Sequence, residues 1–87
     1  MTHRDDVIRV LAVDDHPLIR EGIGAILAAD PGMQLLATVD SGASAIEAFR
    51  RLRPDVTLMD LQMPGIDGVE AIEAIRAEFP MARILVL

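Results

Sequence analysis

The stretch Val56-Thr57-Leu58-Met59-Asp60-Leu61-Gln62-Met63-Pro64-Gly65-Ile66-Asp67-Gly68 decides how the chain is read. Val56 to Met59 is a short apolar run broken only by Thr57. It ends on a carboxylate, and a loop rich in Gly and Pro then leads into an amphipathic segment. Short runs without clean alternation suit strands buried on both faces, as in a parallel sheet covered by helices. Working outward, three more such runs occur: Ile8 to Val13, interrupted by Arg9; Leu35 to Val39, interrupted by Thr38; and Ile84 to Leu87. Periodicity alone does not separate these from helix fragments, but their length and the Pro, Gly and Asp around them do.

The segments between the runs read as helices. In the first, Pro17 stands where a first helical residue belongs and Asp15 or His16 can cap it. Leu18, Ile19, Ile23, Ile26 and Leu27 then recur near helical spacing until Asp30-Pro31-Gly32 stops the helix. The second opens with Asp40-Ser41-Gly42 and carries Ala45, Ile46, Phe49 and Leu52 on one stripe, with Arg50, Arg51 and Arg53 opposite, and Pro54 ends it. The third places Val69, Ile72, Ile75 and Phe79 at helical spacing with Glu70, Glu73 and Glu78 outward, up to Pro80. Each connection is long enough for a parallel crossover, which predicts β-α-β-α-β-α-β, an open α/β sheet with right-handed crossovers.

At 87 residues the chain is one small domain. Its 52% hydrophobic content excludes disorder, and with 2% aromatic residues the core must be aliphatic apart from Phe49 and Phe79. All 8 basic residues are Arg against 14 acidic ones, for a net charge of −6. That field is wrong for gripping phosphate backbones, so no direct nucleic-acid binding is expected of this segment. The lack of lysine excludes a phosphate-binding P-loop, and Gly22-Ile23-Gly24 lies inside a helix rather than after a strand, so it is no dinucleotide fingerprint. The lack of cysteine excludes disulfides, thiolate zinc sites and cysteine nucleophiles. The longest charge-free stretch, Pro31 to Val39, is too short to cross a bilayer, and Met1 to Asp6 turns acidic where a signal peptide would turn apolar. No membrane association and a cytoplasmic location are therefore expected.

Open α/β folds bind ligands outside the carboxyl ends of their strands. Asp14 and Asp15 follow the first run and Asp60 follows the third, so if those strands are neighbours, three carboxylates converge. Two unit charges ~4 Å apart repel by ~4 kcal/mol at an effective dielectric of about 20, so the cluster needs a cation. An oxygen-only donor set suits Mg²⁺. The plainer readings are that Asp15 caps the helix begun by Pro17 and that the loop after Asp60 is only a turn. His16, beside Asp15, has the chemistry of a metal ligand or acid/base group, but a lone His at a helix start is more often a cap or surface residue; Ser41 and Ser44 read as helix-start residues, and Met59 and Met63 as packing. No Ser-His-Asp constellation is present.

Three stretches together carry a family resemblance: Val13-Asp14-Asp15-His16-Pro17-Leu18 with Arg20-Glu21-Gly22, then Pro54 through Gly68, then Ala82-Arg83-Ile84-Leu85-Val86-Leu87. The chain resembles the receiver domains of two-component response regulators, in particular the NarL/FixJ subfamily, over almost its entire length. The resemblance implies a flavodoxin-like (CheY-like) open parallel sheet of order 2-1-3-4-5, of which this chain would carry an incomplete (βα)3β rather than (βα)5. By the same resemblance Asp60 matches the phospho-acceptor. Asp15 and Asp60 would ligate Mg²⁺ directly, Asp14 would act largely through water, and the backbone carbonyl of Gln62 would complete the protein ligands.

The implied function is a signalling module rather than an enzyme, phosphorylated by a sensor histidine kinase and catalysing only its own phosphoryl transfer and dephosphorylation. Residues 1–87 are expected to be the N-terminal portion of the receiver of a DNA-binding transcriptional regulator, with the helix-turn-helix output domain not present. The family's Ser/Thr after strand four would be the residue after Leu87, and its Lys after strand five has no counterpart, so impaired switching is expected. Strand 84–87 is expected to be an exposed edge through which a homodimer forms. The alternative is a Mg²⁺-dependent phosphohydrolase of the haloacid-dehalogenase type with Asp60 as a strand-end nucleophile. That family wants a second Asp two residues on, where Gln62 stands, and a lysine.

Overall fold

The patterning predicts seven elements, and a computed structural model, which describes residues 7–63, 65 and 67–87, contains them in that order. They are β1 (Ile8–Val13), α1 (Pro17–Ala28), β2 (Met33–Val39), α2 (Gly42–Leu52), β3 (Val56–Met59), α3 (Gly68–Glu78) and β4 (Ile84–Val86). The N-terminal stretch read for a leader, and Pro64 and Ile66 of the loop after β3, lie outside the described residues. The strands pair in parallel in the order β2-β1-β3-β4, so β1 and β3 are hydrogen-bonded neighbours. This is the CheY-like flavodoxin arrangement, incomplete relative to the full fold.

β2 begins two residues earlier than its apolar run, at Met33, because Ile8 pairs with Met33 and Arg9 with Gln34. Between Val10 and Leu11 the register shifts: Val10 faces Leu35 and Leu11 faces Ala37, which leaves Leu36 as an extra residue in β2. Period-two alternation then sorts the side chains onto two faces.

One face holds the main core. Leu11, Val13 and Met59 from the sheet pack with Ala45, Ala48 and Phe49 of α2, Met63, and Ala71 and Ile75 of α3. Burying each large side chain of this set contributes roughly 1.5–3 kcal/mol. The two rings meet at its margin, Phe49 and Phe79 lying 5.0 Å apart between centroids. The Arg53 guanidinium lies 4.2 Å over the Phe79 ring, and the residue takes a left-handed conformation (φ 48°) as the C-cap of α2. At the amino ends of the strands, Arg9 donates to the carbonyl oxygens of Leu52 (2.6 Å) and Arg53 (2.7 Å), where α2 leaves carbonyls without helical partners.

The helix stripes differ from the spacing-based expectation in two places. In α3, Val69 is exposed and the inward face is Gly68, Ala71 and Ile75. Gly68 brings the helix start so close to the sheet that only small residues fit beneath it. In α1, only Leu27 is buried, while Leu18 is 80% and Ile26 72% exposed. This helix sits on the second sheet face near Leu35, whose Cδ2 would lie 3.6 Å from a Cβ at Gly24. It covers one end of that face only. Val56 and Leu58, aligned with the buried Val10 and Ala12, are half-buried, and Leu85 is exposed. Among the described residues, no helix is long and apolar enough to cross a membrane.

Candidate metal centre

The pairing of β1 with β3 sets Val13 beside Met59, so the residues that follow each strand emerge side by side. Asp60 N–H donates to the Val13 carbonyl (3.0 Å) and Asp14 N–H to the Val39 carbonyl (3.0 Å), which extends the ladder one step and fixes where both carboxylates start. Asp14, Asp15, His16 and Asp60 each place one ligand atom within 4.8 Å of the others. The three carboxylates expected at this site are thus brought together.

Their environments differ. Asp14 is buried and its Oδ1 accepts hydrogen bonds from the His16 backbone N–H (2.7 Å) and from the ring at Nδ1 (2.6 Å). Asp60 Oδ1 accepts from the Gln62 backbone N–H (2.9 Å), so the carboxylate is clamped by its own loop while Oδ2 faces the cluster. Asp15 Oδ1 is shielded from solvent and accepts no hydrogen bond. The His16 ring comes within 3.1 Å of it without hydrogen-bond geometry. A buried carboxylate oxygen without a donor is costly unless a cation meets it, and in an oxygen-rich set that cation is a hard divalent ion. The residues present therefore fit Mg²⁺.

Gln62, expected to contribute a backbone carbonyl, follows Asp60 at two residues' distance with an exposed side chain. Met59 and Met63 are buried, as packing requires. Ser41 is the N-cap of α2 and accepts from Ser44 N–H (3.1 Å). The helix-cap reading holds in position only: His16, not Asp15, is the N-cap residue of α1, and its side chain makes no capping bond. Its ring instead turns into the carboxylates.

That placement raises the His16 pKa above its ordinary 6.5, first through the hydrogen bond to Asp14, then through the charges of Asp15 and Asp14. Arg20 also has a role here that its sequence position did not announce. From the first turn of α1 its Nη1 donates to the Asp14 carbonyl (2.7 Å), tying the helix to the end of β1. Its place in the stretch Val13 to Gly22 that carries the family resemblance is the signal that could have located it.

Similarity to known proteins agrees with this geometry. The response regulator receiver domain family matches residues 10–87. The response regulator GacA of Pseudomonas viridiflava is 44% identical over 79 residues, 91% of this chain and 37% of its own length. The nitrate/nitrite response regulator protein NarP of Escherichia coli (strain K12) is 43% identical, again over 91% of this chain and 37% of its own. Among solved structures, a two-component response regulator of the LuxR family from Aurantimonas sp. SI85-9A1 superposes with a TM-score of 0.87 at 38% identity, over 92% of this chain and 57% of that one. The chain thus spans little more than a third of the length of the curated relatives it matches. The phosphohydrolase alternative is not favoured, with Gln62 where it needs an Asp and the match falling elsewhere. The fold, the strand-end carboxylates and the match over most of its length agree: the chain belongs to the receiver domains of two-component response regulators.

Proposed function

We propose that Asp60 is the phospho-acceptor of this receiver and that Asp14, Asp15, Asp60 and the backbone carbonyl of Gln62 hold a Mg²⁺ ion beside it. The observation that supports this reading is the convergence of Asp14 and Asp15 from β1 with Asp60 from β3, with one Asp15 oxygen buried and unbonded. A carboxylate oxygen of Asp60 attacks the phosphorus of a phosphohistidine on a sensor kinase. The P–N bond breaks and the ring nitrogen leaves with its electron pair. The Gln62 N–H holds the Asp60 carboxyl against rotation during the attack. Buried Asp14 and half-buried Asp15 keep negative charge on the cation side of the site. Mg²⁺, when bound, offsets charge on the equatorial phosphoryl oxygens.

The length of the relatives supports placing these 87 residues as the N-terminal portion of a receiver within a longer cytoplasmic regulator of transcription. Its helix-turn-helix would lie elsewhere, since a segment of net charge −6 is not the part that meets DNA. For residues 1–87 taken by themselves β4 is an edge strand, with Leu85 60% and Val86 54% exposed, which supports pairing of two copies of this segment through residues 84–87. Light scattering checks this: a mass that stays monomeric at high concentration refutes it. Mass spectrometry after incubation with phosphoramidate and Mg²⁺ tests the acceptor. A single phosphoryl adduct is expected on the wild type and none on Asp60→Asn. Equal labelling of both overturns the assignment.

A further inference from the structure

Asp15 Oδ1 is buried without a hydrogen bond, so its position depends on the main chain that carries it. That main chain is tied on both sides. The Asp14 N–H donates to the Val39 carbonyl (3.0 Å), the His16 N–H to Asp14 Oδ1 (2.7 Å), and Arg20 Nη1 to the Asp14 carbonyl (2.7 Å). The last bond fixes the peptide that joins Asp14 to Asp15, because a planar peptide turns only as a unit and its oxygen is held. Helix stability does not account for Arg20, since a cation in the first turn of α1 opposes the helix dipole. Nor does ion pairing. Arg20 and Asp40 line one cavity of about 290 Å³ at the end of β2, yet among the described residues the guanidinium bonds the Asp14 carbonyl and pairs with no carboxylate.

We propose that Arg20 is a positioning residue for the metal centre: through the Asp14 carbonyl it fixes the direction in which Asp15 presents its carboxylate, and so sets how tightly Mg²⁺ is held. A guanidinium has donors only, so Arg20 acts through the Asp14 main chain and not as a ligand. The sign of its effect separates positioning from charge. A cation beside the site repels an entering cation, so charge alone makes the site bind more tightly once Arg20 is removed. Lost positioning does the reverse, since the groups that orient metal ligands are worth about 10–100-fold in affinity. The inference rests on the metal-centre reading above and adds to it the residue outside the acidic cluster that sets the cluster's geometry.

The test titrates Mg²⁺ by calorimetry into the wild type, into Arg20→Met, which keeps the apolar stem and loses the donor, and into Arg20→Lys, which keeps a charged donor. A single bond to one carbonyl does not need the guanidinium fork, so lysine can replace it. Arg20→Met is expected to bind Mg²⁺ about tenfold more weakly, and Arg20→Lys within about threefold of the wild type. Urea denaturation in chelator sets conditions under which all three are folded. A bond that only anchors α1 would lower the urea midpoint of Arg20→Met and leave its Mg²⁺ affinity alone. Unchanged or tighter Mg²⁺ binding by Arg20→Met overturns the proposal, as does an Arg20→Lys that binds no better than Arg20→Met. If Asp15→Asn still loses Mg²⁺ in that case, the metal centre stands and only the role of Arg20 falls. If the wild type itself binds no Mg²⁺, both readings fall.

Discussion

Gly68 lies so close to Asp60 that a Cβ on it would fall 2.2 Å from the Asp60 carbonyl oxygen and 2.5 Å from the Leu61 Cα. The atoms it would strike are main chain, at the residue that carries the central carboxylate. Gly68 is also the first residue of α3, held by the Asp67–Glu70 capping box and by its own N–H to the Leu61 carbonyl (3.2 Å). The start of the helix therefore buttresses the end of β3. Gly68→Ala should cost about 1–3 kcal/mol in urea denaturation, because backbone cannot move aside as a side chain does. Gly65, at φ 76° with open space around it, is the control. Gly65→Ala pays only the left-handed strain, about 1 kcal/mol.

Divalent metal should act on stability through Asp15. Raising Mg²⁺ to ten times its Kd should add about 1.4 kcal/mol to the unfolding free energy of the wild type. Asp15→Asn should lose that response, and without metal, at alkaline pH where the His16 imidazole beside it is neutral, it should be more stable than the wild type by roughly 1 kcal/mol, since one member of a repelling cluster is neutralised. Urea midpoints with Mg²⁺ and with a chelator measure both effects. A variant less stable than the wild type in chelator would show that Asp15 has a favourable partner in the apo protein.

His16 gives a pH dependence with a defined sign. Its folded pKa is raised above 6.5 by the hydrogen bond to Asp14 and by neighbouring carboxylates. The folded state therefore holds its proton more tightly than the unfolded chain does. The stabilisation is fully present below about pH 6.5 and is lost as pH rises through the raised value. In chelator, His16→Gln should be less stable than the wild type near pH 6, and the gap should close at alkaline pH. With the ring mostly exposed, salt should shrink the effect. A gap that widens with pH would contradict the assignment.

At the other end of the sheet, Arg9→Met should cost about 1–3 kcal/mol, because two α2 carbonyls lose a charged donor while the apolar stem is kept. The exposed Arg50–Glu78 pair, which joins α2 to α3, is the contrast: Glu78→Gln should leave stability almost unchanged, because solvent screens an exposed pair. Thermal denaturation of both variants ranks them, and a larger loss for Glu78→Gln would reverse the argument.

The element order was legible because the first three strands are short apolar runs closed by Asp14, Asp40 and Asp60, and each helix carries a stop such as Asp30-Pro31-Gly32 or Pro80. Which side of a helix turns inward was less so. The spacing of Val69, Ile72, Ile75 and Phe79 points to one stripe, but α3 buries Ala71 and exposes Val69, since the contact at Gly68 sets its rotation. The apolar residues of α1 read as core, yet most stay exposed where its sheet face is only partly covered.

By itself, the sequence determined the parallel α/β class, an aliphatic core around two rings, and three carboxylates at strand ends, because periodicity and punctuation are local properties of the chain. Periodicity left the strand order open and the family resemblance implied it; the tertiary structure shows β1 and β3 as neighbours, so that Asp14, Asp15 and Asp60 share one small volume. It alone also decided that the His16 ring turns into that volume rather than capping its helix. Strand order depends on residues more than forty positions apart, such as Val13 and Met59, and no local pattern encodes that separation.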